Sequence, residues 1–177
     1  HHSKEPLVKW GTDWNPTPIQ LRRWTAKLGI NWGVRCGPEL AGLDFDSEDA
    51  FENFLNSQPE AAAWPRVKTR RGHHLWVKPK RPIRSQRVGD VEIKGLGSYI
   101  VAPPSIHPSG TRYTFEVAPN GSLPEVDLED LLGLSGAEAG SETAVVSRSS
   151  ALSDFALRYG KSPYPEALCG LATMVLS

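Results

Sequence analysis

An α+β fold with a mostly antiparallel sheet is what this sequence predicts. Three observations carry the prediction: short strand-like runs punctuated by Gly and Pro turns through the middle of the chain, two amphipathic helical patterns ahead of and among them, and hairpin-like spacing rather than the alternating strand and helix of a parallel sheet. The 177 residues leave room for one ordinary domain with an appendage.

Thr17 is placed to cap a helix that has Pro18 at its first position; Leu21, Trp24 and Leu28 recur at helical spacing, and Gly29 ends it. Residues 31–37 and 40–46 read as two short strands joined at Pro38-Glu39. A second helix follows, capped by Ser47, with Glu48 and Asp49 favourable in its first turn and Phe51, Phe54 and Leu55 on one face. Residues 67–69 and 75–77 form the arms of an expected hairpin connected by Arg70-Arg71-Gly72-His73-His74. Residues 91–94 and 99–102 are expected to pair around Gly95 and Gly97, and Pro108-Ser109-Gly110 supplies a turn before a strand at 113–117.

Between 125 and 134, Val126, Leu128, Leu131 and Leu132 interleave with acids in a pattern that favours a short helix without excluding a strand start. The expected catalytic domain is 1–134. Residues 135–150, rich in Ser, Gly, Ala and Glu without periodicity, read as a linker. Residues 151–177 are expected to be helical, the start of a larger helical region.

The 39 % hydrophobic content is ordinary for a soluble protein, and no apolar run approaches the roughly eighteen residues that a membrane span needs. Cys36 and Cys169 lie far apart and form no Cys-x-x-Cys pair, so a reducing cytoplasm is the expected setting. A formal net charge of zero argues against coating nucleic acid by bulk charge. Yet Arg66, Lys68, Arg70, Arg71, Lys78, Lys80, Arg81, Arg84 and Arg87 fall together with no acid between them, nearly half of the 20 basic residues, which predicts a local anion-binding surface.

In Leu43-Asp44-Phe45-Asp46 two carboxylates alternate with apolar residues, so on a strand both point to one face and can bridge hard divalent cations. Asp90-Val91-Glu92-Ile93-Lys94 repeats the alternation: Glu92 can add a third carboxylate, Asp90 competes for that place, and Lys94 shares the face as a nucleotide-binding residue. The Gly72 turn offers backbone N–H groups, with Arg71 and His74, to a triphosphate. Adjacent strand residues point to opposite sides, so only one of His73 and His74 can face the site. Ser105 and His107, in a proline-shaped loop, offer hydrogen bonds to a nucleotide pocket.

Taken in order, these segments resemble the N-terminal domain of bifunctional DNA primase/polymerases, in the archaeo-eukaryotic primase superfamily. The resemblance rests on a Lys4-Glu5-Pro6-Leu7-Val8-Lys9-Trp10 opening, a Gly33-Val34-Arg35-Cys36-Gly37 strand, the acid pair, the Gly-x-His turn, a third acid, and Pro103-Pro104-Ser105 followed by Gly110 and Tyr113. It implies a primase-like catalytic core with an RRM-like sheet and two Mg²⁺ or Mn²⁺ ions. Asp44, Asp46 and Glu92 would be the metal-binding catalytic acids, and His74 the phosphate contact. Glu92 stands where an aspartate is common, and Arg71 where many relatives have a small residue. Partners would be a single-stranded DNA template, a primer strand and NTP or dNTP, with no membrane. The absence of a Gly-x-x-x-x-Gly-Lys loop assigns any helicase to another part of the native protein or a separate chain.

Two other readings compete. Leu43-Asp44-Phe45-Asp46-Ser47 resembles the nucleophile motif of haloacid-dehalogenase-type phosphatases, although Glu48 stands where Thr or Val is expected. A non-catalytic nucleic-acid-binding module would keep the fold without synthesis.

Overall fold

The short β-branched and aromatic runs do become strands, but they divide between two sheets. The computed structural model describes residues 4, 6–7, 16–26, 30–134 and 173–176. Helix α1 (Pro18–Thr25) opens as expected: Thr17 accepts from the Gln20 backbone N–H, and the Gln20 side chain reaches back to the Thr17 N–H at 2.8 Å, a closed capping box. Strands β1 (Asn31–Arg35) and β2 (Ala41–Phe45) follow, then α2 (Glu48–Ser57), capped by Ser47, and a 3-10 turn at Pro59–Ala63. The remaining elements are β3 (Arg66–Lys68), β4 (His73–Pro79), β5 (Gln86–Val88), β6 (Val91–Lys94), β7 (Tyr99–Ala102), β8 (Thr114–Val117), β9 (Glu125–Val126), α3 (Leu128–Leu131) and β10 (Thr173–Leu176).

Among the described residues the larger sheet runs β5-β6-β2-β4-β3-β8, antiparallel throughout, with β9 added parallel to the far end of β4. The smaller sheet is β10-β1-β7, also antiparallel. This α+β arrangement lacks the parallel sheet that the phosphatase reading requires.

The larger sheet buries one face along its central strands β6, β2 and β4. Leu43, Phe45, Leu75, Val77, Val91 and Ile93 point there, as period-2 alternation demands, and meet Phe51 and Phe54 of α2 and Leu128 of α3. The Phe45 ring lies 5.4 Å from Phe51 and 5.0 Å from Phe54. Truncating Phe45 to alanine would cost about 3–5 kcal/mol by lost burial and the cavity left behind. On the other face, Trp76 and Val67 pack against Trp32, Val34 and Ile100 of the smaller sheet. Gly42 marks the closest approach: a Cβ there would sit 2.7 Å from the Ile100 side chain. The smaller sheet thus covers only part of this face.

Three expectations are corrected. Residues 91–94 and 99–102 do not pair; β6 lies between β2 and β5, while β7 crosses to the other sheet beside β1. The Gly95 turn is pressed against the Ile83 carbonyl rather than closing a hairpin, leaving 2.1 Å where a Cβ would stand. Strand β5 went unpredicted. Residues 173–176 are extended instead of helical, because the backbone edge of β1 takes them up as a partner from Asn31 to Val34. The 125–134 segment divides into β9 and α3, with Asp127 capping the helix. Leu28, Gly29, the linker at 135–150 and the rest of 151–177 lie outside the described residues.

Candidate active site

The strand register aligns the chemistry. Across β5, β6, β2 and β4, the directly opposed residues are Arg87, Glu92, Asp44 and His74, so all four share the face that the smaller sheet leaves open. The next row holds Lys94, Gly42 and Trp76. Asp46 follows the end of β2, immediately before the Ser47 cap of α2. Asp90 sits exposed in the turn between β5 and β6, away from the row, so the third acid opposite Asp44 is Glu92.

Beside this row lies a cleft of about 510 Å³ lined by Asp44, Asp46, His74, Arg70, Arg71, Lys94, His107 and Tyr113, among others. Its lining mixes the acids Asp44 and Asp46 with the cations Lys4, Arg70, Arg71 and Lys94. Burial holds the Asp44 carboxyl up to about 6; Lys94 opposes this, while the nearby Asp46 and Glu92 charges add to it. Arg71 binds Asp46 at 2.7 Å, and Lys94 donates to Glu92. The Thr69–Gly72 turn that presents Arg70 and Arg71 is tied by Thr69 N–H to the Gly72 carbonyl at 2.9 Å and by Gly72 N–H to Thr69 Oγ1 at 3.2 Å.

The two histidines separate as alternation requires. His74 faces the cleft, 97 % out of solvent by its 3 % exposure, with Nε2 lacking a hydrogen-bond partner. Burial, then the charges of His73, Lys4 and Lys94, push its imidazole down to about 3, so it is neutral at physiological pH. His73 points to the opposite side, its ring tilted against Phe51 with centroids 4.2 Å apart and its Nε2 3.1 Å from Glu116 Oε2. His107 stands at the rim, its Nδ1 2.8 Å from Ser109 Oγ.

Ser105 does not join them. It is buried away from the cleft, its Oγ accepting from the Trp32 N–H at 2.8 Å and donating to the Trp32 carbonyl at 3.3 Å. Asn31 fastens the same loop through the Ile106 backbone. Ser105 therefore locks the Pro103–Pro104 loop, which has a cis peptide bond, onto β1.

The profile of the family described as bifunctional DNA primase/polymerase, N-terminal, matches residues 1–130. The chain belongs to this family. No curated protein matches it. As a primase/polymerase domain, it is of a nucleotidyltransferase type that acts on DNA and nucleotides.

For a primase/polymerase the oxygen donors present are the right kind: Asp44, Asp46 and Glu92 are hard ligands on or beside one strand row, and family members use divalent metals. Among the described residues, however, no three His, Cys, Asp or Glu side chains converge as a metal cluster. Arg71, Arg87 and Lys94 instead neutralise Asp46 and Glu92. Among the cleft residues not legible as site members in the sequence, Tyr113 and Lys4 lie nearest the chemistry of the row. Tyr113 stacks on His74 with centroids 6.3 Å apart, and burial together with Asp44 raises its hydroxyl to about 12. Lys4 is held by a hydrogen bond from Tyr99 Oη to its carbonyl at 2.7 Å, with its ammonium 6.0 Å from the Tyr113 ring. Both stood within the motifs that carry the family resemblance, but nothing local linked them to the acids.

No helix among the described residues is long and apolar enough to cross a membrane.

Proposed function

We propose that this domain is a template-directed DNA primase/polymerase that extends a 3′-hydroxyl by a two-metal mechanism in replicating a plasmid, phage or other mobile element. The observation that carries the reading is the row Glu92–Asp44–His74, with Asp46 beside it, next to a cleft that Arg70, Arg71 and Lys94 also line. When bound, two Mg²⁺ or Mn²⁺ ions supply neutralisation of the charge on the reacting phosphate and favour ionisation of the attacking hydroxyl.

Asp44, Asp46 and Glu92 would hold the ions through their carboxylate oxygens. Neutral His74 uses its free Nε2 to hydrogen-bond the triphosphate, while Arg71, Arg70 and Lys94 balance its charge. His107 borders the nucleotide, and Ser105 acts indirectly by fixing the loop that carries it. Single-stranded template follows the basic segment, so its binding weakens as salt rises. NTP or dNTP is the second substrate, and any helicase activity would lie elsewhere in the native protein or on another chain.

The test is nucleotide incorporation on single-stranded DNA, with and without a primer, in Mg²⁺ or Mn²⁺. Metal-dependent products that disappear in Asp44→Ala plus Asp46→Ala support the reading; product without primer makes the domain a primase. Template binding with no synthesis under any of these conditions overturns it in favour of a binding-only module.

A further inference from the structure

Arg87 borders the acids without lining the cleft. It stands on β5, an outermost strand of the larger sheet, directly opposite Glu92. Its Nη2 lies 3.5 Å from Asp46 Oδ2 and 3.6 Å from Glu92 Oε2, so one guanidinium spans two carboxylates. Its side chain is 51 % exposed, and β5 has no neighbouring strand on its outer side among the described residues. Rotation into solvent therefore costs little packing.

We propose that Arg87 is a built-in competitor of the catalytic metals: it neutralises Asp46 and Glu92 in the metal-free protein and must be displaced for divalent cations to bind. This rests on the metal-binding role proposed for those acids. Two carboxylates that lose a shared cation repel one another and Asp44, and that repulsion is relieved by a divalent ion. The guanidinium thus sets the concentration at which metal loads, making Arg87 a positioning residue rather than a catalytic one. Arg71 makes a shorter contact with Asp46, but it belongs to the cleft lining and reaches only that acid. Among the described residues, Arg87 alone of the cations paired with these acids holds both Asp46 and Glu92.

The experiment is Mn²⁺ titration without nucleotide, with free Mn²⁺ followed by electron paramagnetic resonance, at low ionic strength. Wild type, Arg87→Ala, Asp44→Asn and Arg84→Ala are compared; Arg84 is an exposed arginine of the same segment that is not among the described cations paired with these acids. Arg87→Ala should bind Mn²⁺ roughly two- to tenfold more tightly than wild type, the range open to partly exposed charge pairs, and the gain should shrink as salt rises. Arg84→Ala should stay within about twofold of wild type, since it removes an equal charge without freeing an acid. Unchanged or weaker binding by Arg87→Ala overturns the proposal, as does equal tightening by Arg84→Ala. If wild type binds no Mn²⁺, or binds it as Asp44→Asn does, the metal-site reading itself fails and the proposal falls with it.

Discussion

His74 stands directly opposite Asp44 across the β2–β4 ladder, so a neutral imidazole and a partly buried carboxylate share one patch of sheet. The pair shows where the site spends stability. Asp44 is raised from 3.8 to about 6, so above that pH the folded protein holds a charge that the unfolded chain carries more easily. Asp44→Asn should therefore stabilise the metal-free protein by about 1–3 kcal/mol at pH 7.5 while lowering incorporation roughly 100-fold or more. Thermal unfolding in EDTA checks the first part. Adding Mn²⁺ should then raise the melting temperature of wild type but not of the variant. Equal melting temperatures in EDTA would show that the buried carboxylate costs nothing.

The Gly72 turn has no room for a side chain. A Cβ there would come within 2.2 Å of the Phe45 carbonyl oxygen, a backbone atom that cannot retreat without moving β2. Gly72→Ala should destabilise the fold by about 1–3 kcal/mol and shift Arg70 and Arg71 away from the cleft. Urea unfolding reads the first effect, and nucleotide affinity measured below the unfolding transition reads the second. A variant with native stability and affinity would mean that the turn adapts without disturbing β2.

Local chemistry explains which parts were legible in the sequence. The Ser47 cap, the Phe51 and Phe54 face, and the Leu43-Asp44-Phe45-Asp46 alternation each depend on residues a few positions apart, and each was readable. Pairing between distant strands was not. Gly95 and Gly97 carry the turn signal of a hairpin, yet β6 and β7 enter different sheets, because Leu43 and Phe45 pair with Ile93 and Val91 while Gly33 and Val34 pair with Val101 and Ile100. Strand β5 is exposed and polar, Gln86-Arg87-Val88, with no buried alternation to reveal it, so Arg87 was seen only as part of a basic segment. Ser105 looked like a ligand-binding hydroxyl because its burial against Trp32 is set by a contact 73 residues away. That Glu92, Asp44 and His74 share one face follows from period-2 alternation along their strands, whereas Lys4 and Tyr113 come beside them through tertiary packing that no local pattern reveals.

Cys36 should be chemically silent in the folded protein. Burial pushes its thiol up to about 12, even though Ser98 and the Gly42 backbone favour the thiolate. At pH 8 almost none of it is the reactive thiolate, and only 2 % of the residue is exposed. Alkylation by iodoacetamide, followed by peptide mass spectrometry, should leave Cys36 unmodified until denaturant unfolds the core. Labelling at the rate of an exposed cysteine in native buffer would contradict the packing of β1 against Trp76 and Ile100.

His73 supplies a pH dependence of stability on the side of the sheet away from the cleft. Its imidazole is held below the usual 6.5 by burial first, with the Lys68 charge in the same direction and Glu116 and Glu48 opposing. The folded protein therefore protonates this ring less readily than the unfolded chain does. Below pH 6.5 the unfolded state binds more protons, so stability present at neutral pH is lost as pH falls through the unfolded value towards the folded one. His73→Phe keeps a ring against Phe51 but cannot titrate. Between pH 8 and pH 5, protonation of Asp44 works against His74 and His107 in both proteins alike, but the urea midpoint should fall more steeply, or rise less, in wild type. The difference between the two curves isolates His73. If that difference stays flat across the range, Glu116 and Glu48 hold the imidazole at its unfolded proton affinity, and the ring contributes only packing.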